Sequence, residues 1–356
     1  MRRNCTILIP AYNPPDSLCD YLRQLRRAGF ERILVVDDGS REDRQEIFRE
    51  AERVGCIVLH HRENKGKGAA LKTGFSYYGE HWQGTCDGVI TVNSDGSDRL
   101  EDVLRIEETL YNSHRMDSYG LVLGARDFSG PGITRARRNG NKITCLIYRL
   151  LTGISVKDAL TGLRGIPDMR IPECLRMWGS GYEYEASMLL DCGYAGYLEV
   201  SVETPVPNPK AETHYRPVRD TVRIYVALFR RFLMFSMTSV SVSLLDIVLF
   251  WLLTEYCLKN ISYPLAWGTV IARVISASVN YLINRYLVFE SGGDGRKSAG
   301  MFVVLSIVQC LLSAGLVQSL EYISSGEPVL LKILVDVGLF FFSYFVQNRW
   351  IFKKKK

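Results

Sequence analysis

Short, largely apolar runs alternate with amphipathic stretches from Cys5 to about Leu123. Cys5–Pro10, Arg32–Val36, Cys56–Leu59, 88–92 and Leu121–Leu123 read as strands, and their lack of polar alternation suits burial on both faces. The stretches between them predict helices. One runs from Pro14-Pro15-Asp16 to about Ala28, stopped by Gly29; the others cover Arg41–Val54, Ala69–Tyr78 and Leu100–His114. Strand and helix in strict alternation, with short links, predict an α/β domain with a mostly parallel sheet. In such sheets ligands bind beyond the carboxyl ends of the strands.

Past Arg231 the pattern changes. Apolar stretches at Phe232–Leu253, Pro264–Ile283, Met301–Leu320 and Pro328–Val346 are each near the roughly 20 residues that span a bilayer. Just before them, Val222, Tyr225, Val226 and Phe229 fall at helical spacing beside Arg219, Arg223, Arg230 and Arg231, the signature of a helix lying on anionic lipid. The chain therefore divides into a soluble α/β part (1–215), an interfacial helix (216–231) and an all-α, four-helix transmembrane domain (232–356). Lys and Arg precede the first span, separate the second from the third and follow the fourth, so both termini are expected in the cytoplasm of a multi-pass cell-membrane protein.

The membrane half also repeats itself. Asn284-Arg285-Tyr286-Leu287-Val288-Phe289 and Asn348-Arg349-Trp350-Ile351-Phe352 end the second and fourth spans, which suggests a duplicated hairpin. Asp246, Arg273 and Asp336 fall inside spans at similar depth, so Arg273 is expected to pair with one of the two carboxylates.

Composition and charge alter this picture only at its edges. Of 356 residues, 44 are Lys or Arg and 38 Asp or Glu, a formal +6 helped by the Lys353–Lys356 tail. Following an apolar segment, that tail marks a membrane face, and no nucleic-acid partner is expected. Nine cysteines without a Cys-x-x-Cys pair argue against a disulfide framework or zinc site. The apolar stretch after Met1-Arg2-Arg3 is too short for a signal-peptide core. Gly66-Lys67-Gly68-Ala69-Ala70-Leu71 lacks the third glycine of the dinucleotide fingerprint, and no Gly precedes Lys72 as a phosphate-binding P-loop requires.

The candidate chemistry lies in three loops on the sheet's carboxyl edge: Ala11-Tyr12-Asn13, Asp37-Asp38-Gly39-Ser40 and Asn93-Ser94-Asp95-Gly96-Ser97-Asp98. Oxygen ligands two residues apart at a strand end suit a hard cation, which can in turn hold a diphosphate. The plainer alternative is an Asx turn before the next helix. Asp37 and Asp38 suit a base N–H or ribose hydroxyls, Tyr12 can pack on a base, and the Lys65-Gly66-Lys67-Gly68 turn offers ammonium groups and close backbone approach to phosphate.

These segments, with Ile7–Asn13, Val35–Ser40, Asn64–Gly68 and Asn93–Ser97 in that order, resemble family 2 glycosyltransferases of the GT-A fold. The likeness is to the branch of dolichol-phosphate mannose synthase and bacterial polyprenyl-phosphate glycosyltransferases, over about 4–230. Residues 232–352 resemble a GtrA-like membrane domain. The resemblance implies that Pro10, Tyr12, Asn13, Asp37, Asp38, Lys65 and Ser94 line the nucleotide pocket and that Asn93, Asp95 and Ser97 hold Mg²⁺ or Mn²⁺. The usual motif is Asp-x-Asp followed two residues later by Gln, so Asn93 removes one carboxylate and weaker metal binding is expected; Asp98 offers another. Pro14 replaces the family's usual Glu. Among basic residues gathered after Gly124, Arg126 matches an arginine that meets the acceptor phosphate, with Arg137 or Arg138 at a second position. Asp158–Arg164 and Gly181–Glu185 resemble further family segments, with Leu160 in place of Gln.

The implied reaction is inverting transfer of a hexose from UDP- or GDP-sugar to an undecaprenyl- or dolichyl-type polyprenyl phosphate at the cytoplasmic face of the membrane, with Asp95 and Arg126 central. Membrane lipid is the other expected partner, and homo-oligomerisation is left open. A glycolipid translocase with a degenerate nucleotide-binding half and a processive polysaccharide synthase are the alternatives. The latter's Gln-x-x-Arg-Trp motif is matched only by Gln347-Asn348-Arg349-Trp350, which has the wrong spacing.

Overall fold

Every residue of Cys5–Ala11 (β1) is buried. It lies between Arg32–Asp37 (β2) and Gly88–Thr91 (β4), parallel to both. A strand hydrogen-bonded on both edges and covered on both faces exposes nothing to water, so Ile7, Leu8 and Ile9 follow one another without a polar residue. Ile57–His60 (β3) continues the sheet in parallel beyond β2. On the other side Arg164–Pro167 (β6) runs antiparallel to both β4 and Leu121–Arg126 (β5), and Tyr197–Val202 (β7) completes the sheet parallel to β5. The order is β3-β2-β1-β4-β6-β5-β7. The expected mostly parallel sheet is present, mixed by β6, its one antiparallel strand among the described residues.

This computed structural model describes residues 3–115, 120–128, 133–152, 155–192, 196–203, 217–258, 263–289, 291, 293–323 and 328–352. The boundary expected at 215–216, the Met1-Arg2 start and the Lys353–Lys356 tail lie outside the described residues. Contacts divide the chain into two compact units, Met1–Leu228 and Phe229–Lys356.

In the first unit, Ser17–Arg27 (α1), Gln45–Arg53 (α2), Lys67–His81 (α3) and Leu100–Arg115 (α4) connect the early strands. Helix α1 begins at Ser17, three residues later than Pro14 suggested, and buries Leu18, Tyr21, Leu22 and Leu25 at one-face spacing. Arg135–Thr152 (α5), Ile171–Arg176 (α6) and Glu183–Cys192 (α7) follow. Arg135, Arg137, Arg138 and Lys142, among the basic residues gathered after Gly124, therefore lie on a helix.

The C-terminal part is helical. Pro217–Leu252 (α8) is one unbroken helix, so the interfacial helix expected at 216–231 and the first apolar stretch are continuous. Val218–Cys257 is, among the described residues, the one helix that passes both length and apolarity tests for crossing a membrane. Pro264–Ile283 (α9), Gly295–Ile323 (α10) and Pro328–Val346 (α11) complete it. Both α9 and α11 widen at their ends into π-helical turns, Asn284–Val288 and Gln347–Ile351. The repeated motifs meet there: Phe289 stacks on Phe352 at 5.3 Å, and Asn284 Nδ2 donates to Gln347 Oε1 at 3.1 Å.

Arg273 pairs with Asp246 at 3.4 Å, and Ser276 Oγ donates to the other carboxylate oxygen at 2.7 Å. Arg273→Leu leaves Asp246 with Ser276 alone and is expected to cost about 1–3 kcal/mol. Thermal unfolding in detergent checks this. The Arg273→Leu/Asp246→Asn double variant should melt above the single variant, and the reverse order would rule the pair out as a stabilising element.

Candidate active site at the carboxyl edge of the sheet

The loops after β1 and β2 are tied to each other. Asn13 takes a left-handed conformation (φ 46°), which Asn tolerates better than most residues. Its backbone N–H donates to Ser40 Oγ at 2.9 Å, and its Oδ1 accepts the Arg41 N–H at 2.9 Å. Asp37 ends β2 buried, accepting the Ser40 N–H at 2.8 Å and Gln45 Nε2 at 3.1 Å, with His60 Nδ1 at 3.0 Å. Burial works to raise its pKa, but the hydrogen bonds from Ser40, His60 and Gln45 hold it below the usual carboxylate range. Asp38, also buried, accepts the N–H groups of Lys65 (2.9 Å) and Gly66 (2.8 Å) and contacts His61 Nδ1 at 2.7 Å. The two aspartates thus organise the rim on which Tyr12, Asn13 and Lys65 sit. Gly66 has φ 100°, and a Cβ there would stand 2.5 Å from the Ser180 carbonyl oxygen; only glycine lets α3 begin at this point.

Beyond β4 the chain leaves the sheet through Asn93–Asp98. The Asn93 N–H donates to Asp98 Oδ2 at 2.8 Å, and the Ser97 N–H donates to Asp95 Oδ1 at 2.9 Å. The second bond is the Asx turn anticipated as the plainer alternative, and it leaves the Asp95 side chain exposed to solvent. Burial of its head group, reinforced by the Asp95 charge, pushes the Asp98 carboxyl up to about 6.

Asn93, expected among the metal ligands, faces a lysine. Its Oδ1 accepts the ammonium of Lys67 at 2.9 Å, and that ammonium also pairs with Glu185 at 2.8 Å. An oxygen already facing a cation is a poor metal ligand. Among the described residues no group of three or more His, Cys, Asp or Glu side chains is gathered for a metal. The loop's two carboxylates, Asp95 and Asp98, lie close enough for the Asp95 charge to act on Asp98, and they are the residues that could hold a hard divalent cation. The neighbouring ammonium changes what Asn93→Asp should do. Its new carboxylate pairs with Lys67, so Mn²⁺ affinity is expected to rise clearly, by about tenfold, only in the Asn93→Asp/Lys67→Gln double variant. Titration of both variants with Mn²⁺ checks this; equal tightening in the two would exclude competition by Lys67.

Arg126 ends β5 in a two-pronged pair with Asp158, Nε to Oδ2 at 2.5 Å and Nη2 to Oδ1 at 3.1 Å. Burial disfavours the guanidinium charge, but Asp158 outweighs it and raises the Arg126 pKa. The pKa of Arg137, near the start of α5, is depressed by burial and by the charge of Arg126, and its buried Nη1 has no hydrogen-bond partner among the described residues. Arg138 instead donates from Nε to the Phe128 carbonyl at 2.8 Å. Of the two candidate arginines, Arg137 is the one with an unmet donor beside Arg126. A second cation with an unmet donor beside a first is an arrangement that receives an anion. Asp158 and Glu185 were not foreseen as site residues, although each lies within a segment whose motif was legible; Lys67 belongs to the turn expected to meet phosphate, but its contact with Asn93 was not foreseen. Arg164 is buried, donating to the carbonyls of Thr161 (2.8 Å) and Glu185 (2.6 Å), so it braces the site.

Residues 6–166 match glycosyl transferase family 2. Residues 230–352 match the transmembrane domain of the GtrA/DPMS family. Segment by segment, the chain carries a family 2 glycosyltransferase domain followed by a GtrA/DPMS transmembrane domain. This glycosyltransferase is 28% identical over 229 residues to glycosyltransferase AglJ of Haloferax volcanii, covering 63% of this chain and 71% of that protein. It is 26% identical over 254 residues to the UDP-N-acetylglucosamine–dolichyl-phosphate N-acetylglucosaminyltransferase of Methanococcus voltae, covering 66% of this chain and 96% of that protein. Its fold has a likeness (TM-score 0.47, 16% identity, 64% of this chain and 79% of the other) to glucosyl-3-phosphoglycerate synthase of Mycobacterium tuberculosis, solved with Mn²⁺, UDP and glucosyl-3-phosphoglycerate.

Proposed function

We propose that this glycosyltransferase moves a hexose from a UDP- or GDP-sugar to a polyprenyl phosphate, with inversion at the anomeric carbon. The observation that carries the reading is the Arg126–Arg137 pair, whose unmet donor suits a phosphate at the same sheet edge as the Asn93–Asp98 loop. A dolichyl-phosphate relative covered almost to its full length and the GtrA/DPMS domain support a lipid-linked acceptor.

A phosphate monoester, with a second pKa of about 6, is largely dianionic at neutral pH and attacks without a general base. The protein has to hold two anions in line and stabilise the departing diphosphate. Arg126, held rigid by Asp158, and Arg137 orient the acceptor. Pro10, Tyr12, Asn13, Lys65 and Ser94 line the nucleotide side, with Asp37 and Asp38 holding their loops. A divalent cation at Asp95 and Asp98 would supply positive charge to the diphosphate. We read helices α8 to α11 as four membrane crossings, and the Lys and Arg distribution supports a cytoplasmic glycosyltransferase domain.

The test offers purified protein labelled UDP- and GDP-hexoses with undecaprenyl or dolichyl phosphate. A single-sugar glycolipid is the expected product. Long polymer would favour processive synthesis, and no turnover with any donor would sink the proposal.

A further inference from the structure

We propose that Arg285, in the π-helical turn that ends α9, holds the phosphate of a lipid in the cytoplasmic leaflet, at a site separate from the sheet-edge arginines. This rests on the reading of α8 to α11 as crossings, which brings the end of α9 and the start of α10 to the cytoplasmic headgroup level. The guanidinium sits in a built socket. Nη1 donates to Tyr281 Oη at 2.7 Å and to Ser298 Oγ at 2.8 Å, and Nη2 donates to the Gly293 carbonyl at 2.8 Å. Both hydroxyls are fixed in turn by the Gly295 carbonyl, to which Tyr281 donates at 2.9 Å and the buried Ser298 at 3.1 Å. Gly295 has to lack a side chain, because a Cβ there would stand 2.7 Å from Arg285 Nη1.

Every group in that socket is neutral. Among the described residues no carboxylate pairs with Arg285, and Asp294 in the same loop caps α10 instead, accepting the Arg296 N–H at 2.9 Å. Of the five N–H donors of an arginine, three are engaged here, which leaves one on Nε and one on Nη2. Nε is buried with no partner among the described residues. These are the two nitrogens with which Arg126 grips both oxygens of Asp158, so the donors left over suit two oxygens of a single anion.

At this level the anion is a lipid's. Tyr286 is exposed, its ring 5.4 Å from the Arg285 guanidinium carbon, and Trp350 is exposed at the end of the second hairpin, as aromatic side chains at headgroup depth are. Leu282 and Leu287, both exposed within a turn of Arg285, offer apolar surface to the lipid's chains. The exposed Arg296 and Lys297 and the N-terminus of α10 add positive charge beside the socket. The second hairpin does not repeat the arrangement: Arg349 is exposed and its side chain makes no hydrogen bond among the described residues.

Native mass spectrometry of the full-length protein in detergent, titrated with phosphatidylglycerol and with diacylglycerol of the same chains, isolates the phosphate contact. Phosphatidylglycerol should be the tighter ligand, and Arg285→Gln should weaken it by about tenfold or more. Arg285→Lys keeps the charge without the two-pronged grip and should recover only part. Gly295→Ala crowds Nη1 without altering any charge; it should weaken the phospholipid too, and it carries the test if Arg285→Gln does not fold. Arg349→Gln removes the same charge from the other hairpin and should leave affinity within about twofold, since an exposed charge acts through screening solvent. Affinity unchanged in Arg285→Gln would overturn the inference. So would equal losses in Arg285→Gln and Arg349→Gln, the mark of diffuse attraction, or displacement of the lipid by millimolar inorganic phosphate. Competition with undecaprenyl phosphate names the source: displacement extends the site to the acceptor lipid, and its failure confines it to membrane phospholipid, either result keeping a lipid phosphate on Arg285. Alkaline carbonate extraction of membranes reports on the crossings separately. Released protein would reject them and this site together, whereas retained protein whose lipid binding ignores Arg285 would reject this site alone.

Discussion

Asp95→Asn should lower glycolipid formation by about a hundredfold or more without unfolding the protein. The side chain is exposed, and its contact is the Ser97 N–H, which an Asn carbonyl accepts equally well, so the turn survives. What disappears is the carboxylate charge that, with Asp98, would hold a divalent cation. Steady-state transfer rates at several Mg²⁺ and Mn²⁺ concentrations, alongside thermal unfolding, give the answer. Unaltered melting with a collapsed rate is the expected pair of results. A variant retaining a third of the original rate would exclude Asp95 from the chemistry.

Arg126→Ala is expected to fail twice over. The Asp158 side chain is fully buried and relies on the Arg126 guanidinium for its countercharge; its other contacts are the backbone N–H groups of Leu160 at 3.1 Å and of Arg126 itself at 3.4 Å, both neutral donors. Removing the guanidinium strands that carboxylate at a cost of about 3–5 kcal/mol. Separately, the acceptor loses its anchoring cation, so transfer at low lipid phosphate should fall steeply. The Arg126→Ala/Asp158→Asn double variant distinguishes the effects: stability should largely return and activity should not. If both return together, Arg126 serves only to neutralise Asp158. Arg126→Lys keeps a charge but cannot form both bonds at once, and should lie between.

The early strands were legible because burial on both faces leaves an unmistakable mark, an apolar run ending where the sheet ends. Strand β6 carries no such mark. It is four residues long and begins with Arg164, whose buried guanidinium is accommodated by carbonyls contributed by Thr161 and Glu185. Helix α5 was missed for a related reason. Its buried positions include Asn141 and Thr144 as well as Tyr148 and Leu151, so half of its inner face is polar and a hydrophobicity pattern sees only charge. In the site, motif spacing located Asp37, Asp38, Asp95 and Arg126 but not how they are engaged. Asp38 is occupied by the backbone 27 and 28 residues away, and Lys67 reaches Asn93 across 26 positions. Such pairings depend on which loops the sheet brings together.

The bare backbone at Gly162 has a consequence for pharmacology. The atoms a side chain there would first strike are the mobile ends of Asn93 and Lys67. Even alanine would be accommodated by moving them, with the fold left standing. A competitive inhibitor seated against the Lys67 ammonium would therefore meet, at this codon, a resistance mutation that also pushes that ammonium out of place.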